Sequence, residues 1–147
     1  MPQPVVCVSL RSAISQGCTT NAGRMLVQKG PLVASESLGQ KQEQFALLLA
    51  QFIVKLYALG YHVRFGEVFR TPEQAALNAK LGSGIKNSLH CLKLAADLNI
   101  FKDGVWLSDT EDLTAVGELW ESMGGTWGGR FGKPDGNHFS LEHNGVK

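Results

Sequence analysis

The sequence has little net charge, few cysteines and no long hydrophobic run. Acidic and basic residues are interspersed and leave a net charge of +1, which argues against the extended basic face of a nucleic-acid-binding protein. No stretch approaches the roughly 18 apolar residues of a membrane span, and the apolar run at residues 5–8 is too short for the core of a signal peptide. We therefore expect a soluble protein with no nucleic-acid partner, no membrane span and no export signal of its own.

Cysteine is also scarce. The 3 cysteines form no CxxC pair, and their odd number leaves at least one outside any intramolecular disulfide. This pattern favours a reducing compartment.

The length and composition favour one folded domain. The chain has 147 residues, of which 44% are hydrophobic and 18% charged, and this is enough for one sizeable core. Residues 1–36 are rich in Ser, Gly, Thr and Gln and lack sustained periodicity. We interpret them as an N-terminal extension for which no ordered element is predicted, and we expect the folded domain at residues 37–147.

Apolar periodicity and turn residues predict an α+β fold. Apolar residues at helical spacing predict a helix at residues 41–59, stopped by Gly60, and the capping sequence Thr71-Pro72 predicts a second at 72–81. A third helix is expected to follow residue 108 or 109 and to run to 123, before a glycine-rich loop at 124–136. Strands are predicted at 62–69, 94–101, 105–107 and 138–142. The whole pattern indicates helices packed on a small antiparallel sheet.

Two histidines and an aspartate are candidate zinc ligands. Neutral imidazole and ionised carboxylate are both good donors for zinc, and His90, Asp97 and His138 can supply them. Strand alternation turns Asp97 away from the aliphatic side of its strand and lets His138 face the same cleft. On spacing alone, the alternative is that all three are ordinary polar residues at the surface.

Other side chains near these candidates could take part in the chemistry. Asp135 precedes His138 by three residues and could act as a general base, or merely form an Asx turn. Glu142 is a weaker rival for the same role. Arg70 could stabilise an oxyanion, or form a surface salt bridge. Cys91 could be a nucleophile, but a buried inert thiol is the better interpretation in an extended segment.

The segment around the first histidine resembles a zinc-peptidase motif. The family that includes D-alanyl-D-alanine carboxypeptidases and the L-alanyl-D-glutamate endopeptidases of phage endolysins has the pattern Ser-x-His-x-x-Gly-x-Ala-x-Asp. Ser88, His90, Ala95 and Asp97 match it in register. This chain has Lys93 where the family has glycine, so we expect the turn after His90 to differ.

Two further motifs of this family have counterparts here. The family's Asp-x-x-His element resembles the segment from Asp135 to His138, and its Arg-Ser/Thr-x-x-Gln element resembles Arg70, Thr71 and Gln74. The resemblance covers residues 37–147. It implies a zinc site in a cleft on the sheet.

The resemblance also implies roles for the matched residues. His90, Asp97 and His138 would bind Zn²⁺, Asp135 would activate the attacking water, and Arg70 would help to hold the oxyanion. Ser88 and Gln74 would orient the substrate. Trp127 could line the cleft, with packing as its alternative role.

The implied activity is hydrolysis of an amide bond in peptidoglycan stem peptides. The bond is either L-Ala to D-Glu or the terminal D-Ala to D-Ala. We expect a monomeric phage lysis enzyme that stays in the cytoplasm until it is released to the cell wall, or that is carried in the virion. Two alternatives remain: a catalytically silent cell-wall-binding or virion structural module with the same fold, and a cysteine peptidase that uses Cys91.

Overall fold

The structure is a computed structural model that describes residues 36–147. The extension predicted at residues 1–36 lies outside this part of the chain, apart from Glu36. Within residues 36–147 no helix is both long enough and apolar enough to cross a membrane.

The described residues form an α+β domain, as predicted. The three α-helices are α1 (Leu38–Ala58), α2 (Pro72–Lys80) and α3 (Thr114–Ser122). The five strands are β1 (Tyr61–Phe65), β2 (Ala95–Lys102), β3 (Val105–Leu107), β4 (Thr126–Trp127) and β5 (His138–Ser140). Two short 3₁₀-helices cover Leu89–Leu92 and Gly128–Arg130.

Helix α1 starts three residues before its predicted position because its first turn is capped. The Ser37 hydroxyl accepts a hydrogen bond from the Gln40 backbone N–H, and the Gln40 side chain accepts one from the Ser37 backbone N–H. This reciprocal pair is a capping box. The helix buries a stripe that faces the sheet, formed by Phe45, Leu49, Phe52 and Leu56. Gly60, at φ +82°, then allows the turn into β1.

All strand pairs in the sheet are antiparallel. The order is β1-β2-β5-β4, with β3 also paired to β2. One edge of β2 pairs with β1, and the other edge pairs with β3 near its end and with β5 near its start. Strand β2 is therefore the centre of the sheet, and it brings Asp97 directly opposite His138 on β5.

The core lies between the helices and one face of the sheet. The rings of Phe52 and Trp120 have centroids 5.0 Å apart, and those of Phe52 and Phe139 are 5.2 Å apart. The Trp120 indole N–H donates to the carbonyls of Thr126 and Ser140, both at 3.1 Å. This buried aromatic group joins α1 and α3 to the back of the strand that carries His138.

Several predicted boundaries differ from the structure. Helix α3 starts at Thr114 rather than directly after residue 108 or 109. The preceding residues form tight turns, in which Leu113 N–H donates to Thr110 O and Thr114 N–H donates to Glu111 O. Strands β1 and β5 end earlier than predicted. Strand β4 lies in the stretch predicted as a loop, and its two residues are too few to show strand periodicity.

Candidate active site

His90 is positioned by a short 3₁₀-helix. Leu89–Leu92 forms this turn, which ends at Lys93 with φ 55° and ψ 38°, in the left-handed region. Glycine enters this region without steric cost, so Lys93 adopts a backbone conformation that a glycine would also adopt. The expectation that the lysine changes this turn is therefore not supported by its backbone. The His90 side chain in this turn is almost fully buried.

The three predicted metal ligands converge at one point. His90 Nε2 lies 3.2 Å from His138 Nδ1 and 3.3 Å from Asp97 Oδ1. His138 Nδ1 lies 3.2 Å from the same Asp97 oxygen. These residues form a His/Asp/His group of the kind that could hold a metal ion.

The separations of these atoms fit a tetrahedral zinc ion. Ligands at about 2.0–2.1 Å from a tetrahedral centre lie about 3.3–3.4 Å apart. The three donor atoms form a nearly equilateral triangle with sides of 3.2–3.3 Å. His90, Asp97 and His138 could therefore hold one zinc ion with little rearrangement.

Asp97 is held in its charged form. Burial raises the pKa of its carboxyl group, but hydrogen bonds with His138 and His90 lower it more, and the pKa falls to about 2. The carboxylate therefore stays ionised throughout the neutral range. Two neutral imidazoles and one carboxylate would leave a zinc complex with a net charge of +1.

The two imidazoles are oriented mainly by packing. Their outer nitrogens, His90 Nδ1 and His138 Nε2, are buried without a hydrogen-bond partner among the described residues. The two rings meet edge to face with centroids 5.0 Å apart, and the Phe131 ring lies 5.6 Å from that of His138. At many metal sites a carbonyl or carboxylate group holds the second ring nitrogen of each histidine ligand. Here aromatic contacts orient the two rings instead.

The candidate ligands open onto a cleft of about 570 Å³. Its walls include all three ligands together with Ser88, Arg70 and Asp135. Basic side chains of Lys133 and Lys147 also line it. The cleft therefore brings together most of the polar residues that the sequence indicates.

Asp135 is exposed beside the ligands and has a fixed backbone. Its N–H donates to Gly128 O at 3.0 Å, and its carbonyl accepts from His138 N–H at 3.1 Å. A Cβ at position 128 would lie 2.4 Å from the Asp135 carbonyl oxygen and 2.8 Å from His138 Cβ. Only glycine allows this close approach, so Gly128 helps to set the position of both residues.

Arg70 is fixed by a carboxylate that the sequence patterns do not single out. Its Nε and Nη2 atoms both donate to Glu67, with a separation of 2.9 Å for Nε, while Nη1 is 3.4 Å from the Ser88 hydroxyl. The hydrogen bond from Arg70 lowers the pKa of Glu67 below its usual value. In the sequence, the indication of this contact is that an acidic residue precedes the arginine by three positions.

The backbone around Glu67 also connects Arg70 to the metal ligands. Asp97 N–H donates to Glu67 O at 2.8 Å, and Gly66 N–H donates to Asp97 O at the same distance. Arg70 N–H donates to His90 O at 3.4 Å. The segment after β1 thus continues beside β2 and carries the guanidinium group to the cleft.

Two predicted substrate-binding residues lie elsewhere. Trp127 is only 2% exposed, and its indole N–H donates to Gly136 O at 2.8 Å. It therefore packs behind the glycine-rich segment and does not line the cleft. Gln74 is exposed on α2, where its amide donates to Asn78 at 2.6 Å, and it is not among the residues of the cleft wall. The structure therefore places neither side chain in the cleft wall, and their contact with substrate stays a prediction.

The rival catalytic residues are also outside the cleft wall. The Cys91 thiol lies 3.8 Å from the carbonyl oxygen of Thr71, and Glu142 is 3.8 Å from the Lys147 amino group. Neither residue lines the cleft. Asp135 is therefore the better candidate for a base, and the cysteine-peptidase alternative lacks a thiol at the site.

Comparisons with known proteins agree with this arrangement. Residues 82–141 match the sequence model of a family described as D-alanyl-D-alanine carboxypeptidase. This segment contains His90, Asp97, Asp135 and His138, and Arg70 lies before it. No curated protein matches the chain.

A solved structure shares the fold. The chain is similar to the L-Ala D-Glu endopeptidase ChiX of Serratia marcescens, with 20% sequence identity and a TM-score of 0.54. The similarity covers 74% of this chain and 87% of that one. At this identity the likeness concerns the fold alone. The described domain therefore shares the fold of this endopeptidase, and residues 82–141 resemble the D-alanyl-D-alanine carboxypeptidase family, as the sequence motifs predict.

Proposed function

We propose that residues 37–147 form a zinc-dependent peptidase that hydrolyses an amide bond in peptidoglycan stem peptides. The main support is the triangle of donor atoms from His90, Asp97 and His138, with sides of 3.2–3.3 Å, at the wall of an open cleft. The family match to D-alanyl-D-alanine carboxypeptidases supports the same reaction class. So does the fold shared with an L-Ala D-Glu endopeptidase.

The chain's own residues would divide the work of hydrolysis. His90, Asp97 and His138 would hold zinc, which when bound supplies the Lewis acidity that lowers the pKa of water and polarises a carbonyl group. Asp135 would accept a proton from the attacking water while the water oxygen forms a bond to the amide carbon. The same carboxyl group would then return the proton to the leaving amine as the C–N bond breaks.

Arg70 and Ser88 would stabilise and orient the substrate. The bidentate contact with Glu67 holds the guanidinium group and leaves Nη1 directed toward Ser88 at the cleft. A fixed cation at this point can neutralise charge that develops on the carbonyl oxygen, or bind a carboxylate of the substrate. Because Glu67 already holds the side chain, little reorganisation is needed during the reaction.

The charges of the cleft suit an anionic peptide. Arg70, Lys133 and Lys147 line it together with the acidic Asp97 and Asp135. A zinc ion would offset the charge of Asp97, and the remaining surface would then be mainly basic. Stem peptides carry free carboxylates, which such a surface attracts.

Digestion of purified peptidoglycan tests the proposal. The zinc-loaded protein should clear a wall suspension and release muropeptides whose cut amide bond mass spectrometry identifies. Chelation, or the substitution His138→Ala, should remove both zinc and activity, whereas alkylation of Cys91 should remove neither. A zinc-loaded, folded protein that binds walls without cutting them would instead indicate the catalytically silent module.

The resemblance to endolysins extends the proposal to a role in phage lysis by a monomer. Expression of the protein together with a holin should then lyse the host cell, and the His138→Ala variant should not. Sedimentation of the purified protein should give the mass of one chain. Failure of either test removes that part of the proposal and leaves the hydrolysis untouched.

A further inference from the structure

A second, smaller pocket lies beside the cleft, in a gap of the sheet. Strand β3 pairs with Ile100–Lys102 of β2 and strand β5 pairs with Ala95–Asp97 along the same edge. Between them Leu98 N–H still donates to Asn137 O at 2.8 Å, and on this edge Asn99 is the residue that no strand of the described chain pairs with. A pocket of about 230 Å³ occupies this gap and shares Pro134 and Asp135 with the wall of the cleft.

Most of the side chains that line this pocket are neutral hydrogen-bonding groups, together with one tryptophan, Leu107, Pro134 and the shared Asp135. Asn99, Ser108, Thr110 and Asn137 provide amides and hydroxyls. Trp106 is 55% exposed, although the other two tryptophans of the chain are almost fully buried. Of the described residues that line the pocket, only Asp135 on the shared rim carries a charge.

The strand geometry puts the pocket and the metal ligands on the same face of the sheet. Side chains two residues apart on a strand share a face, so Asn99 and Phe101 follow Asp97 on its side of β2. Trp106 is the register partner of Phe101 on β3. The aromatic surface is therefore on the side of the sheet that carries the candidate active site.

We propose that this pocket binds a pyranose ring of the glycan strand to which the stem peptide is attached. The inference rests on the proposed function and adds a subsite to it. A sugar ring presents an apolar face that can stack on an indole and a rim of hydroxyl and acetamido groups that neutral amides and hydroxyls can bind. A phosphate or carboxylate ligand would require a cation in the lining, and an apolar side chain would require an apolar lining.

The size of the pocket suits one ring. Its volume of about 230 Å³ is below the range of about 300–1,000 Å³ of sites for drug-sized ligands. One pyranose ring with its substituents is an occupant of this scale, and the rest of the strand would continue into solvent past Trp106.

This subsite also selects the bond that is cut. The stem peptide joins its sugar through L-alanine, and each extended residue spans only about 3.3–3.6 Å. The small pocket and the cleft share Asp135. A sugar bound in the small pocket would therefore place the nearby L-Ala to D-Glu bond next to this proposed catalytic base. The terminal D-Ala to D-Ala bond would lie several residues farther along the cleft.

Tryptophan fluorescence gives a direct test of sugar binding. The zinc-loaded protein is titrated with the disaccharide of N-acetylglucosamine and N-acetylmuramic acid without a stem peptide, which contains no bond for a peptidase to cut. Trp120 and Trp127 are buried, so a saturable change in emission should come from Trp106. In Trp106→Phe the change in emission should disappear, because the indole that reports binding is gone. Weak binding of the disaccharide to this variant should remain and should be measurable by calorimetry.

Kinetics on a matched pair of substrates gives the second test. We expect Trp106→Ala to raise KM about tenfold for a stem peptide that carries its sugar, as expected for the loss of about 1.4 kcal/mol, within the range of aromatic stacking. KM for the same peptide without sugar should stay unchanged. Val105→Ala is the control, because Val105 is 63% exposed on the same strand but on its other face.

The outcomes separate the subsite from the proposed function. Hydrolysis of both substrates with equal KM, with no change of emission, overturns the subsite and leaves the peptidase proposal intact. Saturable emission changes without hydrolysis of either substrate overturn the peptidase proposal and leave the sugar subsite intact. Cleavage confined to the terminal D-Ala to D-Ala bond contradicts the selection of the bond.

Discussion

Asp135 and Glu67 are both carboxylates close to the candidate metal ligands, but the protein holds them differently. Glu67 is bound to the guanidinium group of Arg70. Asp135 is exposed in the cleft while its backbone is fixed by Gly128 and His138. This difference fits a positioning role for Glu67 and a proton-transfer role for Asp135.

Replacement of the proposed base should separate metal binding from catalysis. Asp135→Asn keeps the size of the side chain but cannot accept a proton, so we expect kcat to fall by about 10²–10⁴-fold. Zinc content, measured by atomic emission, should stay at the level of the unsubstituted protein. Full activity in the zinc-loaded variant would refute the assignment of the base.

Removal of the charge on Glu67 should impair catalysis without loss of zinc. In Glu67→Gln the guanidinium group of Arg70 loses its bidentate partner, and such misplacement can lower kcat by about tenfold to a hundredfold. Glu118→Gln is the control, since Glu118 forms an exposed ion pair with Arg130 that should have little effect. Equal activity of the two variants would mean that Arg70 needs no positioning by Glu67.

The same carboxylate should contribute to the pH dependence of stability. Because the pKa of Glu67 is lowered in the folded protein, its contribution is complete above the unfolded value of about 4.3 and is lost as the pH falls through the folded value. The difference in Tm between the unsubstituted protein and Glu67→Gln should therefore shrink on acidification. A difference that grows at acid pH would contradict the direction of this pKa shift.

At the scale of secondary-structure elements, the site depends on close contact between the glycine-rich segment and β5. The 3₁₀-helix at Gly128–Arg130 lies against Asp135 and His138, and Trp127 holds Gly136 from behind. The glycines in this segment serve different purposes, because some allow contact and others face open space.

A pair of glycine substitutions should reveal this difference. Gly128→Ala places a methyl group 2.4 Å from the Asp135 carbonyl oxygen, whereas a Cβ at Gly132 meets nothing within 4 Å among the described residues. We expect Gly128→Ala to lower both Tm and zinc affinity, with a cost of about 1–3 kcal/mol in stability. Gly132→Ala should change neither, and thermal unfolding with zinc competition titration would measure both. Equal behaviour of the two variants would argue against the contact.

At the scale of the whole molecule, metal binding should be coupled to folding. The ligands come from a 3₁₀-helix and two strands, and they meet only in the folded domain, so zinc should bind the native state preferentially. At a free zinc concentration of about 100 times Kd the stabilisation is about 2.7 kcal/mol. Calorimetry should show a rise in Tm of several degrees on zinc addition and its reversal by a chelator. The His138→Ala variant should show a much smaller change, and an equal rise in both proteins would contradict binding at this site.

The sequence alone was sufficient for the local part of the structure. Amphipathic periodicity predicted α1, the capping sequence predicted α2, and alternation predicted β2 with Asp97 and His138 on a common side. These features depend on residues a few positions apart, so propensity and periodicity reveal them. The start of α3 could not be predicted in this way, because tight turns before Thr114 set it. Strand β4 could not be predicted either, because it consists of two residues that are defined only by their pairing with β5.

The sequence by itself determined which residue types could bind a metal and which strand faces they occupy, since these follow from side-chain chemistry and backbone alternation. The tertiary structure decided which of them meet. It brought Glu67 to Arg70, buried Trp127, left Gln74 on an outer helix surface, and opened a pocket between β3 and β5. These outcomes depend on how elements distant in the chain pack against one another, and neither composition nor periodicity specifies that packing.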